Sequence, residues 1–113
     1  TVRGFVAVAE ADAAVGQVVN IGSNYEISIG DTARLIAEVM GREVEIGNDE
    51  QRLRPPASEV ERLWADNSLA RELTGWVPEY AGVDGLRRGL AETVAWFAEP
   101  ANLRRYKAGV YNI

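Results

Sequence analysis

The sequence predicts an α/β fold in which a few short strands alternate with four to five helices. Two short apolar runs bounded by turn residues, residues 17–22 and 44–46, are typical of strands. A third strand is predicted just before Asp66, where apolar and charged residues alternate. Longer segments repeat their apolar residues every three to four positions, which is typical of helices. We expect residues 1–113 to form a single domain, since this length suits one core.

The first predicted helix begins near the start of the chain and ends at about residue 13. Val2, Phe5, Val6 and Ala9 are spaced as one apolar face of a helix. Gly4 lies inside this helix, where glycine often marks the close approach of another part of the chain.

Four further helices are predicted from their end signals. The second begins at Ser28, in a pattern close to a capping box, and ends before Gly41. The third follows Asp66 as its N-cap and is closed by Gly75. The fourth begins near residues 83–84 and stops before Pro100, with Val83, Leu86, Leu90, Val94 and Phe97 as its buried face. Pro100 then opens a short helix to about residue 107.

Composition and charge exclude several classes of function. The chain has no cysteine and no histidine, which excludes disulfides, a serine–histidine triad and the usual zinc sites. A net charge of −5 argues against nucleic acid as a partner. No apolar run is long enough to cross a membrane and no signal-peptide pattern is present, so we expect a cytoplasmic protein.

The richest candidate site is the stretch from residue 52 to residue 66. Arg52 and Arg54 precede a rigid Pro55-Pro56 pair, and such a cationic loop suits an anionic ligand such as a diphosphate. The alternative is that both arginines are solvated surface charges. Glu59 and Glu61 could form an acid–base pair, or they could lie on a solvated strand edge.

Two polar residues lie near the end of the first predicted strand. Asn20 is in this strand, and Ser23 is in the turn that follows it. Ligands of open α/β sheets bind at the carboxyl ends of strands, so both are candidate ligand contacts. The alternative is that they are an ordinary strand residue and an ordinary turn residue. No catalytic or metal-binding residue is predicted, and no glycine-rich dinucleotide or phosphate fingerprint is present.

Several short motifs together resemble one enzyme family. They are Val19-Asn-Ile-Gly-Ser23, Ser28-Ile-Gly-Asp31, Arg54-Pro55, Glu59-Val60, Leu63, Asp66, Ser68, Leu73-Thr-Gly-Trp76, Pro78, Gly85-Leu86, Gly89-Leu90, Thr93 and Trp96. The chain resembles the C-terminal, substrate-binding part of extended short-chain dehydrogenases/reductases, the NAD-dependent epimerase/dehydratase family. The stretches 49–55, 58–66 and 111–113 are most similar to the nucleotide-N-acetylglucosamine 4,6-dehydratases of the legionaminic-acid pathway.

This resemblance implies a nucleotide-sugar ligand, linked to UDP or GDP, and NAD as the cofactor of the complete enzyme. In such enzymes the sugar is oxidised at C4, water is eliminated across C5 and C6, and hydride returns to C6. The resemblance assigns Arg54 to the diphosphate and Glu59 to the ribose, although the loop between them is two residues longer than in related GDP-mannose dehydratases. The Tyr-x-x-x-Lys pair of the cofactor-binding half is absent from this sequence. We therefore expect a substrate-binding fragment that is inactive alone.

Two alternatives stay open: a fragment of a nucleotide-sugar epimerase, and a non-catalytic domain that serves as an oligomerising scaffold. The first helix and residues 17–22 carry more apolar side chains than so short a chain can cover. We expect a homo-oligomer, most simply a homodimer, that buries one of them.

Overall fold

The computed structural model describes residues 1–47 and 62–104. These residues form a 3-10 turn, Asp12–Ala14, and five α-helices: α1 (Val2–Ala9), α2 (Ile29–Val39), α3 (Ser68–Thr74), α4 (Gly82–Ala98) and α5 (Pro100–Leu103). The helices pack in two groups. In one group α1 and α3 pack on each other and on the 3-10 turn, and in the other α4 packs on α2 and α5.

The α/β prediction is wrong for the described part of the chain, because residues 1–47 and 62–104 contain no β-strand. Residues 17–22 have the composition of a strand, but within residues 1–47 and 62–104 no backbone segment forms a ladder with them. The carbonyl oxygen of Gly22 instead accepts a hydrogen bond from the Asn67 side chain, 2.8 Å away, and Val18 is 90% exposed. A strand is stable only in a ladder, so β-propensity without a partner leaves this run irregular.

The described residues of the other two predicted strands are not strands either. Residues 44–46 are irregular, with Val44 and Ile46 both about half exposed, and so are residues 62–66. The rest of the third predicted strand lies outside the described residues. Strand composition alone therefore does not decide local structure here.

All five predicted helices are present, but α1 ends earlier than expected. It stops at Ala9, and the chain continues through the 3-10 turn where the prediction continued the helix to about residue 13. α5 begins at Pro100 in its first turn, as predicted. The predicted end of α5 near residue 107 lies outside the described residues.

Helix α1 packs through its small residues and leaves its large apolar residues exposed. Gly4 is buried, and a Cβ added there would lie 2.5 Å from the Cγ2 of Ile21 and 3.3 Å from Trp76. The close approach predicted at Gly4 is thus confirmed. On the opposite side of the helix, Val2 is 77% exposed and Phe5 is 65% exposed. Both faces of α1 are therefore apolar, and only one is covered by the described residues.

Helix α2 has signals at both ends. At its start, Ser28 Oγ accepts a hydrogen bond from the backbone N–H of Asp31 at 2.9 Å, which confirms the predicted cap. At its end, Gly41 has a φ of +61°, and Arg42 donates its backbone N–H to the carbonyl of Ala37. This is the Schellman arrangement, which satisfies carbonyl groups left without partners at a helix end.

Helix α3 begins one residue later than the sequence predicts. Its N-cap residue is Asn67, which makes no side-chain cap bond. Asp66, the predicted N-cap, still accepts hydrogen bonds from the backbone N–H and the hydroxyl of Ser68. Gly75 closes the helix in the left-handed conformation, as predicted.

Helix α4 approaches the chain before it through two glycines on one face. A Cβ at Gly85 would collide with the backbone of Tyr80, and one at Gly89 would lie 3.3 Å from the Tyr80 ring. The predicted buried face is only partly covered. Leu86, Leu90 and Val94 are half-buried, whereas Val83 is 45% exposed and Phe97 is 36% exposed.

The interior of the described part consists mostly of small side chains. The buried apolar residues are Ala14, Leu35, Ala37 and Ala70, and no large side chain among the described residues is fully buried. Burial of large apolar side chains is the main favourable contribution to folding, at about 1.5–3 kcal/mol each. The described residues thus obtain little of that contribution from one another.

Candidate functional site

The irregular segment 20–27 runs between the two helix groups and is held at Gly22. Besides the hydrogen bond from Asn67, Gly22 packs on Ala65, whose Cβ lies 2.7 Å from where a Cβ on Gly22 would be. Asn67 is itself buried. Just beyond, Ser23 is exposed, and Asn24 has a φ of +53°, in the left-handed region. This attachment presents Ser23 to solvent at a defined position.

Three open clefts lie along this segment. The α2 cleft, of about 780 Å³, is bounded by residues 25–29, one face of α2, Arg62, Leu63 and Val83. The Trp76 cleft, of about 600 Å³, is bounded by residues 1–3, Gly22, Ser23 and residues 76–80. The Tyr80 cleft, of about 330 Å³, lies between them and shares Ser23 and Tyr80 with the Trp76 cleft. These volumes are in the range of small-molecule sites.

The three clefts form one trough, because neighbouring clefts share residues. Tyr25 and Ile27 line both the α2 cleft and the Tyr80 cleft, and Ser23 lines both the Tyr80 cleft and the Trp76 cleft. A ligand longer than a single ring system could therefore lie along residues 23–27. Ser23 is at the junction of two clefts.

An ion pair closes one side of the α2 cleft. Arg62 donates from Nε and Nη2 to the two carboxylate oxygens of Glu26, at 3.0 and 2.7 Å. This bidentate geometry is the strongest form of arginine–carboxylate contact, and it raises the pKa of the Arg62 guanidinium. The pair joins segments 36 positions apart in the sequence.

A second cluster of charges stands at the start of α2, in the same cleft. Asp31 accepts hydrogen bonds from the Ser28 hydroxyl and from Arg34, each at 2.7 Å. The hydrogen bond from Ser28, followed by that from Arg34, holds the pKa of the Asp31 carboxyl below its ordinary value of 3.8. Asp31 is thus an ionised acceptor at neutral pH.

A third pair links the two long helices. Arg87 on α4 donates to both carboxylate oxygens of Glu38 on α2, at 2.8 and 3.0 Å, and these bonds lower the pKa of Glu38. Within the described lining of the α2 cleft, Arg34 and Arg62 are each engaged by a carboxylate. A phosphate group would have to displace a carboxylate from one of them, whereas sugar hydroxyls could donate to the carboxylates directly.

Tyr80 is held rigidly at the middle of the trough. Its hydroxyl donates to Glu92 at 2.7 Å, and the Arg88 guanidinium lies 4.8 Å from the centre of its ring. The hydrogen bond to the Glu92 carboxylate raises the pKa of the Tyr80 hydroxyl above its ordinary value of 10.0. Tyr80 is therefore a neutral hydrogen-bond donor and a fixed wall for two clefts.

Of the five predicted site residues, two lie in the described part of the chain. Ser23 lines two clefts, and its role as a ligand contact stays a prediction. Asn20 is exposed, but it is not among the residues that line the three clefts. Arg52, Arg54 and Glu59 lie outside the described residues, so their assignments stay predictions.

Sequence reasoning missed two features of this site. One is the Glu26–Arg62 ion pair, and the other is the hydrogen bond from the Asn67 side chain to the Gly22 carbonyl. No local sequence pattern predicts either contact, because each joins positions far apart in the sequence. The packing of Tyr80 against α4 could have been predicted from the sequence. Gly85 and Gly89 are four residues apart on one helical face, which indicates that a bulky group packs there.

Metal binding and membrane insertion find no support in the described residues. No group of three or more potential metal-ligating side chains occurs among residues 1–47 and 62–104. Within the same residues, no helix is both long and apolar enough to cross a membrane.

Taken together, the described residues form a helical unit with an elongated, open trough. No family model and no solved structure matches the chain. Two curated relatives do. UDP-glucose 4-epimerase of Mycolicibacterium smegmatis is 35% identical over 83 residues, 73% of this chain and 24% of the relative. GDP-L-fucose synthase 1 of Arabidopsis thaliana is 35% identical over 79 residues, 70% of this chain and 22% of the relative.

These matches support the predicted relationship to the NAD-dependent epimerase/dehydratase family. They do not distinguish the 4,6-dehydratases within that family. The chain spans about a quarter of the length of the relatives it matches, at 24% and 22%.

Proposed function

We propose that this chain is the nucleotide-sugar-binding part of an enzyme of the epimerase/dehydratase family. One observation carries the proposal. The two relatives differ in the nucleotide and in the reaction that their names give, one with UDP-glucose and the other with GDP-L-fucose. What the two names share is a sugar linked to a nucleoside diphosphate. The segment that both relatives share with this chain is thus the best candidate to recognise that ligand class.

The finer proposal is a nucleotide-sugar 4,6-dehydratase, supported by the motifs described above in residues 49–66. A nucleotide-sugar epimerase is the alternative, and the name of one relative favours it. The sequence contains neither the glycine fingerprint nor the Tyr-x-x-x-Lys pair expected around NAD. The residues of this chain therefore do not form the NAD site of that family, and we assign no reaction step to NAD here.

The charges in the trough favour a division of the ligand between two regions. In the α2 cleft, the described arginines are engaged by Glu26 and Asp31. Neither described arginine of this cleft is therefore free for a diphosphate, and the assignment of the diphosphate to Arg52 and Arg54 and of the ribose to Glu59 rests on the family resemblance. The sugar would then lie along residues 23–27, where Ser23 offers a hydroxyl and Tyr80 offers an aromatic ring.

A non-catalytic scaffold is the second candidate, from a different class of function. The observation that favours it is the large exposure of apolar side chains, such as Val18 at 90% and Phe5 at 65%. Ligand titration separates the two candidates, because a scaffold has no reason to bind a nucleotide sugar.

The test is a titration of the complete 113-residue chain, followed by NMR, with UDP-N-acetylglucosamine, GDP-N-acetylglucosamine and UDP-glucose. We expect saturable shifts with at least one of the three ligands. Arg54→Ala should weaken binding by about tenfold or more, because a hydrogen bond to a charged group contributes about 1.5–3 kcal/mol. Arg71→Ala, at an exposed arginine on α3, is the matched control and should bind as the wild type does.

Two results would contradict the proposal. One is the absence of saturable binding by any of the three ligands, which favours the scaffold. The other is equal weakening by Arg54→Ala and Arg71→Ala, which would indicate non-specific attraction between arginines and phosphate.

A further inference from the structure

The α2 cleft places a pair of opposite charges beside apolar side chains. Glu26 and Arg62 lie in its wall, and their neighbours in the sequence, Ile27 and Leu63, line the same cleft. The buried side chain of Leu35 lines it as well. A negative charge, a positive charge and an apolar surface are therefore available to one ligand, in a cleft of about 780 Å³.

The two charges of this wall are matched to each other. Arg62 donates to both carboxylate oxygens of Glu26, at 3.0 and 2.7 Å. A ligand with only an anionic group would take Arg62 and leave Glu26 without its partner, and a purely cationic ligand would do the reverse. A zwitterionic ligand avoids both costs, because its carboxylate accepts from Arg62 while its ammonium group donates to Glu26. Unpaired charges are a common basis of discrimination between ligands, so this wall favours the zwitterion.

The Glu26–Arg62 pair is also the one that can exchange partners most readily. The two side chains are 43% and 72% exposed, and exposed ion pairs contribute little net stability. Neither residue lies in a helix, so the pair can separate without disturbing one. The other arginine of the described lining is fixed more locally. Arg34 pairs with Asp31 within α2, and Asp31 also accepts a hydrogen bond from the Ser28 hydroxyl.

We propose that the α2 cleft binds a free amino acid with an apolar side chain, whose α-carboxylate pairs with Arg62 and whose α-ammonium group pairs with Glu26. Both charged groups of an amino acid are attached to one carbon atom, so they fit two protein charges that are in direct contact. The bidentate contact of Arg62 is then made with the ligand carboxylate. The apolar side chain of the ligand lies on Ile27 and Leu63. This site does not depend on nucleotide-sugar binding, which has its own titration.

Four small probes test the charge pattern of the ligand. They are L-leucine, 3-methylbutylamine (leucine without its carboxylate), 4-methylpentanoate (leucine without its ammonium group) and glycine (an amino acid without a side chain). Each is titrated into the 113-residue chain at pH 7 and constant ionic strength, from about 0.1 to about 100 mM, and followed by NMR.

We expect saturable shifts with L-leucine and a dissociation constant on the order of 1–10 mM, because the cleft is open and its charges are hydrated. The two singly charged analogues should bind about threefold or more weaker, since each leaves one protein charge unpaired. Glycine should bind about tenfold weaker, because it buries no side chain.

Two variants reverse the preference in opposite directions. Arg62→Gln should bind 3-methylbutylamine as tightly as L-leucine, because the ligand carboxylate has lost its partner. Glu26→Gln should likewise bind 4-methylpentanoate as tightly as L-leucine. Arg3→Gln is the matched control: it removes an exposed ion pair of the same 2.7 Å length, with Glu79, that is not in the described lining of the α2 cleft. It should keep the full preference for L-leucine, and the NMR spectrum of each variant shows that its fold is retained.

Any of four results would overturn the inference. The absence of saturable shifts with L-leucine up to the highest concentration excludes the site. Equal binding of L-leucine and either singly charged analogue by the wild type excludes the exchange of partners. Equal binding of glycine and L-leucine excludes the apolar contact. A loss of preference in Arg3→Gln that matches the loss in Arg62→Gln excludes the Glu26–Arg62 pair as the place of binding.

Discussion

At the scale of single residues, Gly85 is where α4 meets the chain that precedes it. A Cβ at this position would collide with the backbone of Tyr80, which cannot rotate away as a side chain could. Gly30 is also a helical glycine, but the nearest atoms to a Cβ there are 3.8 and 3.9 Å away. Both glycines are helical, but a methyl group has space at Gly30 and none at Gly85.

We expect Gly85→Ala to lower the free energy of unfolding by about 1–3 kcal/mol, the usual effect of overpacking. Gly30→Ala should raise it by up to about 1 kcal/mol, because alanine has the higher helix propensity. Denaturant titrations of both variants measure the difference. Equal effects of the two substitutions would show that the Tyr80 backbone yields to the added methyl group.

The carboxylates of Asp31 and Glu38 make stability depend on acid pH. Hydrogen bonds from Ser28 and Arg34, and from Arg87, lower their pKa values below 3.8 and 4.5 respectively. A group with a lowered pKa in the folded state adds stability above its unfolded pKa. That stability is lost as the pH falls through the folded pKa. We expect the unfolding midpoint to be level above about pH 5 and to fall below pH 4.5.

Glu38→Gln isolates one part of this dependence. The stability difference between wild type and this variant should shrink as the pH falls below 4.5. Glu72→Gln, at an exposed glutamate on α3, is the control and should differ little from wild type at every pH. A wild-type difference from Glu38→Gln that stays constant from pH 7 to pH 3 would argue against the Arg87–Glu38 contact.

At the scale of elements, the helix starts differ in how they are capped. Ser28 accepts the backbone N–H of Asp31 at the start of α2, whereas Thr1 makes no side-chain cap bond at the start of α1. Ser28→Ala should therefore cost about 1 kcal/mol of stability, and Thr1→Ala should cost less than about 0.5 kcal/mol. Thermal unfolding of the two variants measures the contrast. Similar losses for both would show that α2 does not depend on its cap.

Helix ends could be predicted from local sequence alone, whereas strands could not. Helix-end signals are local, since a cap or a left-handed glycine acts within a few residues. Ser28, Gly41, Gly75 and Pro100 therefore predicted ends that the structure has. Strands depend on a partner elsewhere in the chain, so the apolar composition of residues 17–22 was not sufficient.

At the scale of the whole molecule, we expect the 113-residue chain to be inactive as a dehydratase. The sequence lacks the Tyr-x-x-x-Lys pair and the glycine fingerprint, so neither proton transfer nor NAD binding of that family has its residues here. The measurement is the formation of 4-keto sugar from UDP- or GDP-N-acetylglucosamine with NAD present. Product above the level of a protein-free control would refute this expectation.

The interior of the described part contains few large apolar side chains. Leu35 is the largest of its buried apolar side chains, and the others are alanines. Many large apolar residues are exposed instead, among them Val2, Phe5 and Val6 of α1. Any contact that covers them in the folded state therefore stabilises the chain.

The sequence by itself predicted the five helices, most of their ends and a resemblance to nucleotide-sugar enzymes that the two relatives support. Each of these depends on residues close together in the chain or on short motifs in a fixed order. The tertiary structure decided what depends on distant contacts: which face of α1 is covered, that residues 17–22 pair with no strand in the described part of the chain, and that Ser23 but not Asn20 lines the trough. The physical reason is that packing and ladder pairing are properties of two segments at once, and neither segment alone encodes its partner.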